Sequence, residues 1–152
     1  MSRIPTVLAL YNLGFLTEKE VTDWADAQLL NESENFDHIS TLSLKGLSYC
    51  LKLPSYEFPG PREFTYIEEF ALRTKNLDHK NEDEKSRFLN WVSSKCMGRD
   101  IKIPEVNFGY LIDHYFFECD DLAFANNFLE EQLKILKSKN VGVADEIWAS
   151  IA

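Results

Sequence analysis

The side chains that could do acid–base or metal chemistry are few and scattered in this sequence. The three histidines, His38, His79 and His114, belong to no HExxH motif and to no Cys/His ligand pattern. His114 and Glu118 are the one pair with the spacing of two metal ligands on a helix. Two ligands do not make a metal site, and a hydrogen bond on the helix surface explains the pair.

Motifs for nucleophilic or cofactor chemistry are missing as well. The sequence contains no G-x-S-x-G, no P-loop and no G-x-G-x-x-G. We therefore predict a protein that is not an enzyme, with no catalytic residue, no cofactor and no metal. A small enzyme whose site is formed by dispersed residues stays open as an alternative.

The cysteines indicate a reducing compartment. Cys50, Cys96 and Cys119 lie far apart, form no CxxC pair and are odd in number. The sequence starts without a secretory signal, and no stretch approaches the ~20 apolar residues that span a bilayer. We expect three free thiols that act as small core residues, in a cytoplasmic protein without membrane contact.

The stretch from Ile103 to Leu133 concentrates acidic and aromatic side chains. It holds seven carboxylates and seven Phe or Tyr residues, but no Lys or Arg. This composition suits both a core and an acidic docking face. Pro104 predicts a helix start, because the missing amide donor of proline costs nothing at the first helical position.

A helix from Pro104 would carry two apolar faces. One face has the i, i+3, i+4, i+7 spacing typical of a core face and carries Phe108, Leu111, Ile112 and Tyr115. At about 100° per residue, the opposite face carries Tyr110, Asp113 and Phe117, with His114 beside them. Two interpretations are open. Either the helix is central and packs on both sides, or its second face is presented to a partner.

We predict that this second face and the acidic residues after it bind a protein partner. The predicted contact residues are Tyr110, Asp113, Phe117, Glu118, Asp120 and Asp121. Aromatic rings would supply contact energy, and carboxylates would supply rate and orientation. For Asp120 and Asp121 the simpler interpretation is a helix N-cap. An acidic helix carrying Glu18, Asp23 and Asp26 is the alternative binding face.

The charge distribution favours a basic partner. The chain has 16 Lys and Arg against 25 Asp and Glu, which gives a net charge of −9. Residues 1–44 and 103–152 are acidic, and residues 45–102 are mildly basic. Nucleic-acid binding requires Lys and Arg to neutralise phosphates, so this balance argues against a DNA or RNA partner. An acidic surface instead steers basic proteins toward it.

Apolar residues at helical spacing predict an all-α fold, a single domain of about six or seven helices over residues 1–152. Thr17 and Glu20 have the S/T-x-x-E form of a capping box at a helix start. A polar loop is expected at residues 31–35. In residues 47–53 apolar and polar side chains alternate, which leaves a strand open there.

The last long helix is predicted to follow Asp121. Its core stripe would contain Leu122, Ala125, Leu129, Leu133 and Leu136, and a second stripe would contain Phe124, Phe128 and Ile135. Asn140 and Gly142 are expected to end this helix. A short terminal segment, with Ile147, Trp148 and Ile151, would then fold back as a lid.

One stretch resembles a known family of proteins. It reads Leu10-Tyr-Asn-Leu-Gly-Phe-Leu-Thr-Glu-Lys-Glu-Val-Thr-Asp-Trp-Ala25 and looks like the start of small helical bacterial immunity proteins, which neutralise a cognate toxin. The resemblance implies a cytoplasmic inhibitor that binds a toxin domain, often a nuclease with a basic substrate groove. The charge distribution agrees with such a partner. An adaptor subunit of another complex is the alternative interaction protein.

Overall fold

The structure is a computed structural model that describes residues 3–31 and 36–152. These residues form eight α-helices and one π-helical turn, without a β-strand. The helices are α1 (Ile4–Asn12), α2 (Glu18–Leu30), α3 (Phe36–Lys45), α4 (Leu47–Leu51), α5 (Tyr66–Lys75), α6 (Glu82–Lys95), α7 (Pro104–Asp113) and α8 (Leu122–Ser150). The π-turn (His114–Glu118) follows α7 directly. The all-α prediction is confirmed, with eight helices rather than six or seven.

The alternating segment at residues 47–53 is helical rather than extended. Leu47 and Cys50, three residues apart, are both buried, which is the spacing of one helical face. Gly46, with φ of 87°, separates α3 from α4 in a conformation that favours glycine. The predicted polar loop lies outside the described residues at 32–35.

Helix α8 is longer than predicted, because Asn140 and Gly142 do not end it. Asn140 is buried, and its side-chain amide donates to the Leu136 carbonyl at 2.9 Å, within the same helix. Gly142 lacks the positive φ of a helix-ending glycine. The predicted lid at Ile147 to Ile151 is therefore wrong, since the helix runs on to Ser150.

The contacts divide the chain into two compact units. The first unit contains Met1–Glu63 and Ala149–Ala152, and the second contains Phe64–Trp148. The prediction of one domain over residues 1–152 stays a prediction. In the described ranges, no helix has the length and apolarity needed to cross a membrane.

The first unit is built on α1, which is buried along most of its length. The capping box predicted at the start of α2 is confirmed. The Glu20 amide donates to the Thr17 hydroxyl at 3.1 Å, and the Thr17 amide donates to the Glu20 carboxylate at 3.0 Å. The indole nitrogen of Trp24 donates to the Ile151 carbonyl at 2.6 Å, which fixes the chain end within this unit.

The second unit has an aromatic core that includes a stacked ring pair with an arginine over each ring. The Tyr66 and Trp91 rings are stacked with centroids 5.5 Å apart. Arg99 lies 4.9 Å over the Tyr66 ring, and Arg73 lies 5.0 Å over the Trp91 ring. Cation–π contacts at both ends complete what we call the Arg–Tyr–Trp–Arg stack.

Helices α6 and α7 of the second unit approach closely at Gly109. A Cβ atom there would lie 2.7 Å from the Cβ of Cys96 and 2.9 Å from the Val92 carbonyl oxygen. Only a residue without a side chain fits this contact. Helix α7 is thereby held against α6 immediately before the π-turn.

Candidate functional site

The π-turn and the residues after it form the candidate site. The Cys119 amide donates to the His114 carbonyl at 3.1 Å, which is the i→i+5 hydrogen bond of a π-helix. Such turns are rare and often occur at functional sites. Cys119 is extended, with φ of −104° and ψ of 150°, so the helix ends there before α8 begins at Leu122.

The structure separates the six predicted contact residues into two groups. Tyr110 and Asp113 are partly buried, and the Tyr110 hydroxyl oxygen accepts a hydrogen bond from the Gly98 amide at 3.0 Å. Tyr110 also packs on the aromatic core. The other four residues, Phe117, Glu118, Asp120 and Asp121, are exposed. The face of α7 is thus largely packed, and the accessible part of the predicted site lies after the helix.

Asp121 has the capping role proposed for it. Its carboxylate accepts a hydrogen bond from the Phe124 amide at 3.0 Å, and its carbonyl accepts one from Ala125 at 3.1 Å. The N-cap interpretation is therefore confirmed for Asp121. The Asp120 carboxylate makes no hydrogen bond or ion pair within residues 3–31 and 36–152, so it is free to meet another molecule.

Two apolar residues that the sequence assigned to packed stripes are instead exposed at this site. Leu122 is 63% exposed and Phe124 is 51% exposed, close to the 54% of Phe117. The core stripe prediction is wrong for Leu122, because this residue opens α8 and the buried positions begin only at Ala125. We call residues 117–124, with three carboxylates and three large exposed apolar side chains, the acidic turn.

The acidic turn is supported by packed aromatic rings, which we call the packed base. The Tyr115 ring meets the rings of Phe124 and Phe128 edge to face, each with centroids 4.9 Å apart. Phe128 in turn stacks on Phe108 of the core at 6.1 Å. The turn is thereby connected to the aromatic core of the second unit through ring contacts.

The alternative acidic face, on α2, has its carboxylates already engaged. Asp23 pairs with Lys19 at 2.7 Å. Glu18 accepts a hydrogen bond from a serine hydroxyl of α4 at 3.1 Å, and Asp26 accepts one from Ser43. A partner would have to replace these internal bonds, so the acidic turn is the better candidate.

Three chemically reactive side chains meet at the π-turn. The His114 Nδ1 atom lies 3.1 Å from the Glu118 carboxylate, which confirms the predicted surface hydrogen bond. The Cys119 thiol lies 3.5 Å from the other ring nitrogen, Nε2. Spacing along the sequence did not predict this second contact, because residues five apart lie on different faces of an ordinary α-helix.

The three thiols are free, as predicted, but they are not alike. Cys50 and Cys96 are buried core residues, and burial raises the pKa of both thiols. Cys119 is exposed, so its assignment to the core is wrong. The reason is that the helix ends at Cys119, and its extended backbone takes this residue out of the helical core stripe.

A cavity of about 260 Å³ lies elsewhere on the second unit, between α8 and the connection that follows α5. Leu77, His79, Glu130, Leu133, Lys134 and Lys137 line it. The Nε2 atom of His79 is buried without a hydrogen-bond partner among the described residues. No Ser, Thr or Cys lines the cavity, so it offers no hydroxyl or thiol nucleophile beside the histidine.

In the described ranges, no group of three or more His, Cys, Asp or Glu residues is arranged to hold a metal ion.

Comparisons of the chain with protein-family models, with curated proteins and with solved structures give no match. The resemblance of residues 10–25 to immunity proteins stays a prediction, as do the expected absences of metal, cofactor and catalysis.

Proposed function

We propose that this chain is an acidic interaction protein that uses the acidic turn to cover a basic surface of a protein partner. Following the resemblance of residues 10–25, the proposed partner is a bacterial toxin domain of the nuclease type, neutralised in the cytoplasm. One observation carries the proposal. Exposed Phe117, Leu122 and Phe124 lie among carboxylates in a stretch without any Lys or Arg.

The two kinds of side chain have separate roles in this proposal. Exposed apolar rings at the centre of an interface provide most of the contact energy, because they lose water on binding. Carboxylates around them attract a basic surface over longer distances, which raises the association rate and orients the encounter. A nuclease groove is basic because it must hold phosphates.

The packed base supports binding by reducing its entropic cost. Tyr115, held between Phe124 and Phe128, keeps the acidic turn in place before the partner arrives. Asp121 holds the start of α8 through its cap. Since little has to be ordered on association, more of the contact energy appears as affinity.

The test begins with isolation of a partner by cross-linking to the tagged chain, followed by its expression on its own. Association is then measured with the Asp120→Lys variant, whose native carboxylate has no internal bond to lose. We expect the association rate to fall by about tenfold and to depend less on salt. Glu57→Lys, an exposed position in the first unit, changes the net charge equally and should stay within about twofold.

The aromatic part of the proposal is tested with Phe117→Ala. We expect binding to weaken by about 2 kcal/mol, roughly thirtyfold in Kd, while the helical signal and the unfolding temperature stay near those of the parent. Tyr56→Ala, at a ring that is 85% exposed in the first unit, is the matched control. Loss of folding in Phe117→Ala would assign this ring to the core instead.

The inhibitory part is tested by adding the chain to its partner and measuring nucleic-acid cleavage. Stoichiometric loss of cleavage that Asp120→Lys relieves supports neutralisation. A partner whose activity is unchanged when bound contradicts neutralisation and supports the adaptor role. Binding that neither Asp120→Lys nor Phe117→Ala alters contradicts the acidic turn as the interface.

A further inference from the structure

The π-turn brings a thiol and a carboxylate into contact with the two nitrogens of one imidazole ring. The Glu118 carboxylate is 3.1 Å from His114 Nδ1, and the Cys119 thiol is 3.5 Å from His114 Nε2. With the carboxylate accepting at Nδ1, that nitrogen carries the ring hydrogen and Nε2 presents its lone pair to the thiol. This is the order of nucleophile, base and orienting acid.

We propose that Cys119 is a reactive thiol that exchanges with low-molecular-weight disulfides bearing amino groups, with His114 as its base. The inference goes beyond the proposed protein-binding function and does not depend on it. Each step uses only groups of this chain and the disulfide itself.

The exchange proceeds in two steps. The Cys119 thiol gives its proton to His114 Nε2, and the resulting thiolate attacks one sulfur of the disulfide. The disulfide S–S bond breaks as the bond from Cys119 Sγ forms. The departing thiolate takes the proton from the His114 imidazolium and leaves as a thiol. Cys119 is oxidised, and the small disulfide supplies the oxidising equivalent.

Glu118 is the positioning residue of this arrangement. It orients the imidazole and stabilises the positive charge that appears when His114 takes the proton. It acts through the histidine and does not touch the sulfur. Its side chain is 61% exposed, and that of His114 is 53% exposed, so a small reagent can approach the three groups.

The surrounding charges select the type of disulfide. Asp113 precedes the π-turn, Asp120 and Asp121 follow Cys119, and Glu118 lies within the turn. From α6, the Lys85 amino group lies 5.6 Å over the Phe116 ring, and this side chain is only 13% exposed. The exposed charges that adjoin the thiol along the chain, on Glu118, Asp120 and Asp121, are acidic, which attracts ammonium groups and repels carboxylates.

The experiment treats the full native chain with cystamine and, separately, with the neutral 2-hydroxyethyl disulfide. Mass spectrometry of peptides measures the modification of each cysteine over time. We expect Cys119 to react first, since Cys50 and Cys96 are buried. The ratio of the cystamine rate to the neutral-disulfide rate is measured for Cys119 and for free cysteine. At low salt this ratio should be several-fold higher for Cys119, and high salt should reduce the difference.

The role of His114 is measured from the rate of Cys119 modification at two pH values. The quantity is the ratio of the rate at pH 7.0 to the rate at pH 9.5, where thiols ionise without a neighbouring base. His114→Gln should lower this ratio by about tenfold. Glu118→Gln should lower it by less, because an amide still orients the ring but does not stabilise its charge. Glu131→Gln, which removes one exposed carboxylate from α8, is the control and should leave the ratio unchanged.

The exposed positions of His114 and Glu118 allow both variants to be made without disturbing the core. An unchanged ratio in His114→Gln overturns the assignment of this residue as the base. A Glu118→Gln effect as small as that of Glu131→Gln overturns the positioning role. Equal rates for cystamine and the neutral disulfide, relative to free cysteine, overturn the preference for amino-bearing disulfides.

Discussion

Glu105 is the most unusual single residue of the second unit, because its carboxylate is buried. The residue is 2% exposed, and both carboxylate oxygens accept hydrogen bonds from Lys139, at 3.0 and 2.9 Å. The buried Asn140 amide donates to the same carboxylate at 3.4 Å. A buried charge is tolerated only when it is paired and hydrogen-bonded, so these two residues of α8 hold the carboxylate in place.

Removing the lysine should therefore destabilise the protein. We expect Lys139→Met to lower the free energy of unfolding by about 3 kcal/mol, at the low end for a broken buried pair because Lys139 itself is half exposed. Urea unfolding measures the change. Lys137→Met, one half-turn away on α8, is the control and should shift stability by about 0.5 kcal/mol or less.

The double variant Glu105→Gln with Lys139→Met tests the cause. Without a charge to leave unpaired, it should be more stable than Lys139→Met alone. A double variant that is less stable by the sum of two single losses would contradict the explanation by unpaired charge.

At the scale of one residue, the sequence predicts local roles better than distant ones. Thr17, Glu20 and Asp121 have capping partners within three residues, and their roles were predictable from spacing alone. Glu105 reaches a partner 34 residues away, and nothing in its neighbourhood indicates burial. The Cys119 contact was missed for a different reason, since it requires one extra residue in the helical turn.

Among the helices, the contact of α6 with α7 at Gly109 sets the position of the π-turn. We expect Gly109→Ala to lower the free energy of unfolding by about 1–3 kcal/mol, because the added methyl group would overlap Cys96 and the Val92 carbonyl. Gly142→Ala is the matched substitution within α8, where an added Cβ meets nothing within 4 Å.

The two glycine variants should change stability in opposite directions. Gly142→Ala is expected to stabilise the protein by about 0.5–1 kcal/mol, since alanine loses less backbone freedom in a helix. Thermal unfolding of both variants checks the pair. A stabilising Gly109→Ala would show that α6 and α7 are not held in contact at this position.

Helix starts were predicted from their local signals, whereas a glycine was an unreliable signal for a helix end. Pro104 opens α7 as expected, and Gly14 and Gly98 have the positive φ typical of a residue that follows a helix. Gly142 is a glycine too, but it lies inside α8. The buried Asn140 and Ala144 keep that helix packed on both sides of it. Packing that favours continuation is a tertiary effect, which spacing along the chain does not reveal.

For the whole molecule, the buried ionisable groups determine the response to alkaline pH. Burial raises the pKa of Cys50, Cys96 and Tyr66 above their ordinary values. In the unfolded chain the thiols lose protons near pH 8.5 and tyrosine near pH 10, so the unfolded state binds fewer protons above those values. The stability from the neutral forms is therefore present below about pH 8 and is lost as the pH rises.

We expect the free energy of unfolding to fall between pH 8 and pH 10.5, as measured by urea unfolding. Cys96→Ala and Tyr66→Phe should each make this decline shallower, although each lowers stability at pH 7. A decline that none of the buried-group variants reduces would assign it to other residues.

At this largest scale, composition and periodicity were enough to predict an all-α protein. Buried stripes such as Leu129, Leu133 and Leu136 follow the expected helical period. The division into two units was not predicted, because it depends on which stripes meet in space. The exposed Leu122 and Phe124 were assigned to packed stripes for the same reason.

The Arg–Tyr–Trp–Arg stack also contributes an optical signal from the second unit. Two aromatic chromophores held with 10° between their planes lie in a fixed chiral environment, which produces near-ultraviolet circular dichroism. The far-ultraviolet signal, in contrast, comes from helices in both units. Recording both bands during denaturation would separate the loss of aromatic packing from the loss of helicity, without an attached dye.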